Sequence, residues 1–164
     1  MQCVNSLMAF MKLQSAGYLA NHMARLFALA LHREIAPLGL APAQFMTLLE
    51  LWSEEGLTQR DLIRRLDVEQ ATVANTLSRM ERDGLIVRKP HPEDRRAQSV
   101  WLTDKAKALE APAKAAATGV NEKALATLSE EERNAFVAVI GRVIGGEGRH
   151  ARQSVPPRFE RRTL

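Results

Sequence analysis

Apolar positions recur with a helical period over most of this chain and switch to a strand-like run at one place. From Gly17 to Ala36 they fill two adjacent stripes, Leu19, Met23, Leu26, Ala30 and Ala20, Ala24, Phe27, Leu31. Only a narrow polar strip through Asn21, Arg25 and His32 interrupts them, and Pro37 with Gly39 ends the pattern. A helix this apolar needs cover on more than one side, either from a partner subunit or as the central helix of a monomer. A second helix starts at Ala41, with Pro42 suited to its first turn and Phe45, Leu48, Leu49 and Trp52 on one inward stripe. Gly56 closes it. Thr58 then caps a short helix whose Asp61 favours the same amide-rich end and whose Leu62, Ile63 and Leu66 are apolar. Asp67, Val68 and Glu69 connect it to a helix from about Gln70 to Asp83, stopped by Gly84.

Leu85, Ile86 and Val87 form a short strand-like run, and Ser99 to Leu102 a second one. Between them Pro90 and Pro92 stand among charged residues, which suits an exposed hairpin tip. Thr103 caps a helix expected to reach about residue 127, kinked by Pro112 and weakened by Gly119. Ser129 and Glu132 make a capping-box pair for a last helix, with Phe136, Val137, Ile140 and Ile144 facing inward and Gly145 and Gly146 ending it. The remainder, through Pro156 and Pro157, reads as a flexible tail, and no internal repeat is present. The predicted class is mainly α with a small β-hairpin.

Composition narrows the functional classes. The 164 residues suffice for one ordinary domain, and 46% hydrophobic against 26% charged residues allows a packed core. The net charge of +4 permits a polyanionic partner without requiring one. Residues 58–103 hold nine basic groups against seven acidic, a net of +2, and residues 146–164 add +3. Cys3 alone excludes a disulfide framework within the chain and a cysteine-rich zinc site. The scattered histidines at 22, 32, 91 and 150 have no metal-site spacing. No window approaches 18 apolar residues without a charge, so no membrane partner is expected; with Lys12 as its one charge, the start from Met1 to Ser15 does not read as a secretory signal. The expected compartment is a reducing cytoplasm. No nucleophile elbow, phosphate loop or paired-carboxylate pattern points to an enzyme, and no cofactor is expected.

Two short helices joined by a tight connection and followed by a two-stranded hairpin describe a winged helix-turn-helix. Its recognition helix needs one apolar face and one face carrying donors and acceptors for base edges. Val73, Leu77 and Met80 supply the first; Gln70, Thr72, Asn75, Thr76 and Arg79 supply the second, uninterrupted by an acidic residue before Met80. A solvated helix face has the same polarity. The hairpin adds Arg88, Lys89, Arg95 and Arg96, and an arginine on a hairpin can enter a narrow minor groove. Asp94, two residues before Arg96, fits there if it orients that arginine by a charge-assisted pair, the alternative being a plain surface salt bridge.

Several segments carry a family likeness. Leu38 to Phe45 (LGLAPAQF), Leu57 to Leu62 (LTQRDL), Ala71-Thr72-Val73, Arg79 to Ile86 (RMERDGLI) and Asp94-Arg95-Arg96 followed by Leu102-Thr103 together resemble the MarR family of transcriptional regulators. The similarity runs from about Gly17 to Ile144 in the family's order and spacing. It departs at Lys105-Ala106, where the family usually has a glycine at a helix start. The resemblance implies a winged helix domain over residues 17–145. Its helix-turn-helix and wing would span about 41–103, and dimerisation helices about 17–36 and 103–145. An extension would precede it over 1–16, and a basic tail follow over 146–164.

It further implies a homodimer on double-stranded DNA with a palindromic operator, Gln59 and Arg60 meeting phosphates and Arg96 as the wing arginine. Family members often take small aromatic acids in a crevice beside the dimerisation helices. By position Tyr18, His22, Met23, Arg25, Phe45 and Trp52 are the candidates for such a site here. Met23, Phe45 and Trp52 fit plain core as well or better, and His22 beside Arg25 fits either a carboxylate contact or a structural role. Cys3 lacks a neighbouring cation to lower its pKa and lies outside the first helix, which argues against redox sensing. A winged helix that binds protein instead of DNA would call for an apolar or acidic outward face on the recognition helix.

Overall fold

The structure is a computed structural model that describes residues 14–94 and 96–153. The expectations made for Cys3, for Arg95 and for the chain beyond Gln153 lie outside these residues. The elements run α1 (Ala16–Ile35), α2 (Pro42–Ser53), α3 (Gln59–Leu66), α4 (Gln70–Arg82), β1 (Ile86–Pro90), β2 (Gln98–Leu102), α5 (Asp104–Ala108), α6 (Glu110–Ala124) and α7 (Glu130–Gln153), with a 3-10 turn at Ala36–Leu38 after α1. The chain divides into two compact units after Asn121.

The first unit is organised around α2 to α4 and the hairpin. Leu48 and Leu51 of α2, Leu62 of α3, Leu77 and Met80 of α4, and Ile86 and Val100 of the hairpin all lose essentially their whole surface in one core. Sequence position explains the elements. Gly39, Gly56 and Gly84 take the left-handed conformation at φ of 76°, 83° and 70°, where a side chain is strained, and each stops a helix or turns the chain. At Gly56 a Cβ would also stand 3.1 Å from the Trp101 ring. β1 and β2 pair antiparallel from Ile86↔Leu102 to Pro90↔Gln98. On its other edge β2 takes the chain entering α3, through Gly56 N–H to Val100 O and Val100 N–H to Leu57 O, both 2.9 Å. The wing is thereby tied to the start of the helix-turn-helix.

Two helix boundaries differ from expectation. The helix after Thr103 does not kink at Pro112; it breaks at Leu109, and Pro112 sits in the first turn of α6. A proline ring clashes with the carbonyl four residues back, here Ala108, the last residue of α5, while first-turn amides need no intrahelical acceptor. In the second unit Ser129 caps α7 as expected: Ser129 N–H donates to Glu132 Oε2 (2.8 Å) and Glu132 N–H to Ser129 Oγ (3.2 Å). Gly145 and Gly146 do not end that helix, which continues to Gln153. Neither glycine adopts positive φ, and glycine in right-handed conformation weakens a helix by about 1 kcal/mol without terminating it.

Both units leave apolar surface uncovered within one chain. Leu19, Leu26 and Leu29 of α1 are about half exposed, so α1 is not the central core helix of a monomer. On α7 Val137 and Ile144, expected to face inward, are 62% and 66% exposed, while Phe136 and Ile140 are half-buried. No helix among the described residues is long and apolar enough to cross a membrane.

Candidate nucleic-acid interface

The entry to α3 is locked by a reciprocal cap. The Thr58 hydroxyl donates to Asp61 Oδ2 (2.6 Å) and accepts from Asp61 N–H (3.2 Å), while Thr58 N–H reaches the same carboxylate at 3.0 Å. The Thr58 hydroxyl, against the opposing effect of burial, holds the Asp61 carboxyl at about 2, with Thr58 N–H and Arg64 adding to it. A carboxylate held low contributes stability that is complete above its unfolded pKa, near 4, and is lost as pH falls toward 2. Thr58→Ala should lower the unfolding free energy by about 1 kcal/mol. Asp61→Asn should flatten the stability profile between pH 4 and 2, both read from urea titrations across that range.

α4 presents the expected row with one exception. Gln70, Thr72, Asn75 and Arg79 are exposed, and Val73, Leu77 and Met80 are buried beneath them. Thr76 is 8% exposed and its hydroxyl donates to Thr72 O at 2.8 Å, so it faces the core and offers no free donor. The reason is geometric: Thr76 stands three residues after Val73 and four before Met80, within the buried stripe. At its end α4 is joined to α2 through Gln44, whose Nε2 donates to Asp83 Oδ2 (2.9 Å) and whose Oε1 accepts from Ala41 N–H (2.9 Å). That buried amide ties the end of α4 to α2.

The wing lies beside α3 and α4. A cleft of ≈ 790 Å³ opens between them; Arg60, Asp61 and Arg64 line it from α3, and Arg88, His91, Asp94 and Arg96 from the hairpin. Arg60 and Arg96 are exposed and have no ion-pair partner among the described residues; Gln59 is half-buried on the same wall. Arg88 differs. It is pulled against α4, its Nε 3.2 Å from Glu81 Oε2 and its Nη2 3.4 Å from Ser78 Oγ, and is 22% exposed. Arg88 therefore anchors the wing to the recognition helix before it contacts anything else. Asp94 also acts otherwise than expected: its Oδ1 accepts from the backbone N–H of Arg96 (2.9 Å), shaping the turn and leaving the guanidinium free.

At the base of the wing Glu55 accepts Leu102 N–H (3.1 Å) and pairs with Lys107 (2.9 Å), a bond that holds its carboxyl below the ordinary value. Sequence reasoning passed over Arg64 and His91. Arg64 is one helical turn beyond Arg60, a spacing that could have placed both on one wall. The role of His91 depends on a turn that no periodicity encodes.

A second concavity, ≈ 570 Å³, lies between α1, α2 and α6. It is apolar, with Phe27, Leu31, Phe45, Met46 and Leu49 as its larger walls and Lys114 on its lining. Of the six residues expected at such a crevice Phe45 alone is found there. Trp52 is packed edge-on to Phe45 (6.1 Å) with its indole N–H donated to Ala106 O (3.1 Å), a core position. Tyr18 and His22, edge-to-face at 6.2 Å, and Met23 and Arg25 do not line it. α1 turns Ala24, Phe27, Ala28 and Leu31 to this space, roughly a third of a turn round the helix from Tyr18, His22 and Arg25.

Comparison with known proteins agrees with this architecture. Residues 38–97 match the MarR family profile. Transcriptional regulator HosA of Escherichia coli O111:H- is 31% identical over 105 residues, covering 64% of this chain and 78% of that protein. The transcriptional repressor CouR, solved bound to a 23-mer DNA duplex, superposes with a TM-score of 0.73 at 29% identity over 79% of this chain and 92% of that one. PcaV of Streptomyces coelicolor, solved with its natural ligand, gives 0.73 at 26% identity over 84% and 96%. Winged helix, matching profile and related regulators agree: the chain belongs to the MarR family of transcriptional regulators.

Proposed function

We propose that this regulator is a homodimeric, sequence-specific DNA-binding repressor released by a small apolar acid. The observation that carries DNA binding is the outward polar row of α4 on a helix packed against α3 and the wing, each of which exposes an arginine. Gln70, Thr72, Asn75 and Arg79 face outward on a helix whose other side is core, and the exposed Arg60 and Arg96 flank them. Base edges in the major groove match the first set; phosphates and a narrow minor groove match the two arginines. CouR, a relative of the same fold, is a repressor bound to duplex DNA.

The exposed Leu19, Leu26 and Leu29 of α1, with Val137, Val143 and Ile144 of α7, support a dimer, since such surface is normally covered by a partner. A two-fold dimer reads two half-sites about one helical turn, roughly 10 base pairs, apart. The crevice at Phe27, Phe45 and Met46 suits an apolar ring, and Lys114 on its wall, paired with Glu110 at 2.6 Å, would exchange that partner for the carboxylate of an acid. PcaV, another relative, has a structure with its natural ligand.

The test is selection of duplexes from a random-sequence library by the full chain at low salt, followed by titration of the complex with phenolic acids. A palindromic consensus with half-sites one turn apart is expected, as is loss of the shifted complex with one of the acids. Failure to retain any duplex would overturn DNA binding and favour a winged helix that binds protein.

A further inference from the structure

The tip of the wing is held by a histidine acting as an acceptor. His91 Nδ1 takes the backbone N–H groups of both Glu93 and Asp94, each at 3.2 Å. Two donors aimed at one ring nitrogen require its lone pair, which the imidazole offers only when Nδ1 carries no proton. The same turn is closed by His91 N–H to Ala97 O (3.1 Å) and Ala97 N–H to Asp94 O (3.0 Å). Asp94, placed by this turn, accepts the backbone N–H of Arg96. A chain of contacts thus runs from one imidazole nitrogen to the backbone of the exposed wing arginine.

We propose that His91 is the positioning residue of the wing and makes DNA binding sensitive to pH. Protonation converts Nδ1 from acceptor to donor, which sets an N–H against two N–H groups and releases Glu93 and Asp94. Arg96 then loses its preset direction, and the turn must be ordered again on DNA. Among the described residues the charged groups that share the space are Arg60, Asp61 and Arg64 of α3, Arg88 of β1, and Glu93, Asp94 and Arg96 of the turn. Asp61 is engaged by Thr58 and Arg64, and Arg88 by Glu81, which leaves Glu93 and Asp94 against Arg60 and Arg96. A neighbouring DNA phosphate would favour the imidazolium, and that attraction opposes the loss of the two hydrogen bonds. The loss acts on the directed minor-groove contact, whereas the attraction acts on any nearby phosphate.

This inference rests on the DNA-binding reading above, and its test separates the two. With a duplex selected at pH 7.5, the wild-type protein should bind about three- to tenfold more weakly at pH 5.5, and His91→Ala should show a similar loss at pH 7.5. His91→Asn places an amide oxygen where Nδ1 stood and does not titrate. It should bind within about twofold of wild type at pH 7.5 and stay flat to pH 5.5. An unchanged or tightened wild-type affinity in acid, or a His91→Asn profile that falls like wild type, overturns the proposal. Nitrogen-15 spectra of the free protein give a readout independent of DNA. They should show a proton-free Nδ1 on His91 and a shift of the Arg96 amide on acidification that His91→Asn lacks. A proton on Nδ1 at neutral pH would sink the proposal even if no duplex is recovered.

Discussion

Leu77→Ala should lower the unfolding free energy by about 2–5 kcal/mol, the range for removing a fully enclosed leucine. Leu77 is 0% exposed, one turn from Val73 on the inner face of α4, in the same core as Leu48, Leu62, Met80 and Val100. Truncation there leaves a space that the α3 cap and the wing pairing prevent from collapsing. Against a total stability of about 5–15 kcal/mol for an ordinary domain, such a loss is large enough to loosen the recognition helix at physiological temperature. Urea unfolding at one fixed protein concentration reads it, since the stability of the proposed dimer would vary with concentration. Asn75→Ala, two residues away but exposed, should stay within about 0.5 kcal/mol of wild type. Equal effects from the two substitutions would mean that α4 is not packed along the Val73, Leu77, Met80 stripe.

Arg96→Ala should weaken binding to a selected duplex by about 1–3 kcal/mol while leaving the unfolding curve and the proposed dimer intact. The exposed guanidinium has no ion-pair partner in the described residues, so its removal breaks nothing internal. Arg88→Ala gives the useful contrast. Arg88 bridges to Glu81 and Ser78, so its loss should affect the position of the wing as well as affinity. Fluorescence anisotropy at several salt concentrations separates the two roles: a lost minor-groove contact weakens the selected duplex more than a scrambled one, whereas a lost phosphate contact weakens both alike. Equal loss on both duplexes for Arg96→Ala would remove the groove contact from the mechanism.

Much of this protein was legible from its residues because the relevant signals are local. The Thr58 and Ser129 caps depend on side chains three residues from their partners, and both form. The helix stops at Gly39, Gly56 and Gly84 follow from backbone conformations open mainly to glycine. The inner stripe of α4 follows from a period of 3.6, whereas the hairpin was legible only as two apolar runs, and its pairing extends to Pro90, expected at the tip. Pro112 was read as an interruption for a sound reason, and only the place of the break moved, to Leu109.

What the sequence by itself determined is the order of elements, the winged helix-turn-helix, the family, and the outward polar row Gln70, Thr72, Asn75 and Arg79 on α4. What only the tertiary structure decided is which side chains remain free. Thr76 is polar but turned into the core, Arg88 is basic but engaged by Glu81, and Asp94 serves the backbone of Arg96 and not its guanidinium. The crevice likewise takes Phe27 and Leu31, because the rotation of α1 on α2 and α6 selects its face. His91 became visible only when the hairpin turn brought two amides onto one nitrogen. The physical reason is common to all of these. Propensity, capping and period act over a few residues, whereas the freedom of a charged or polar group depends on neighbours that the fold brings from far along the chain.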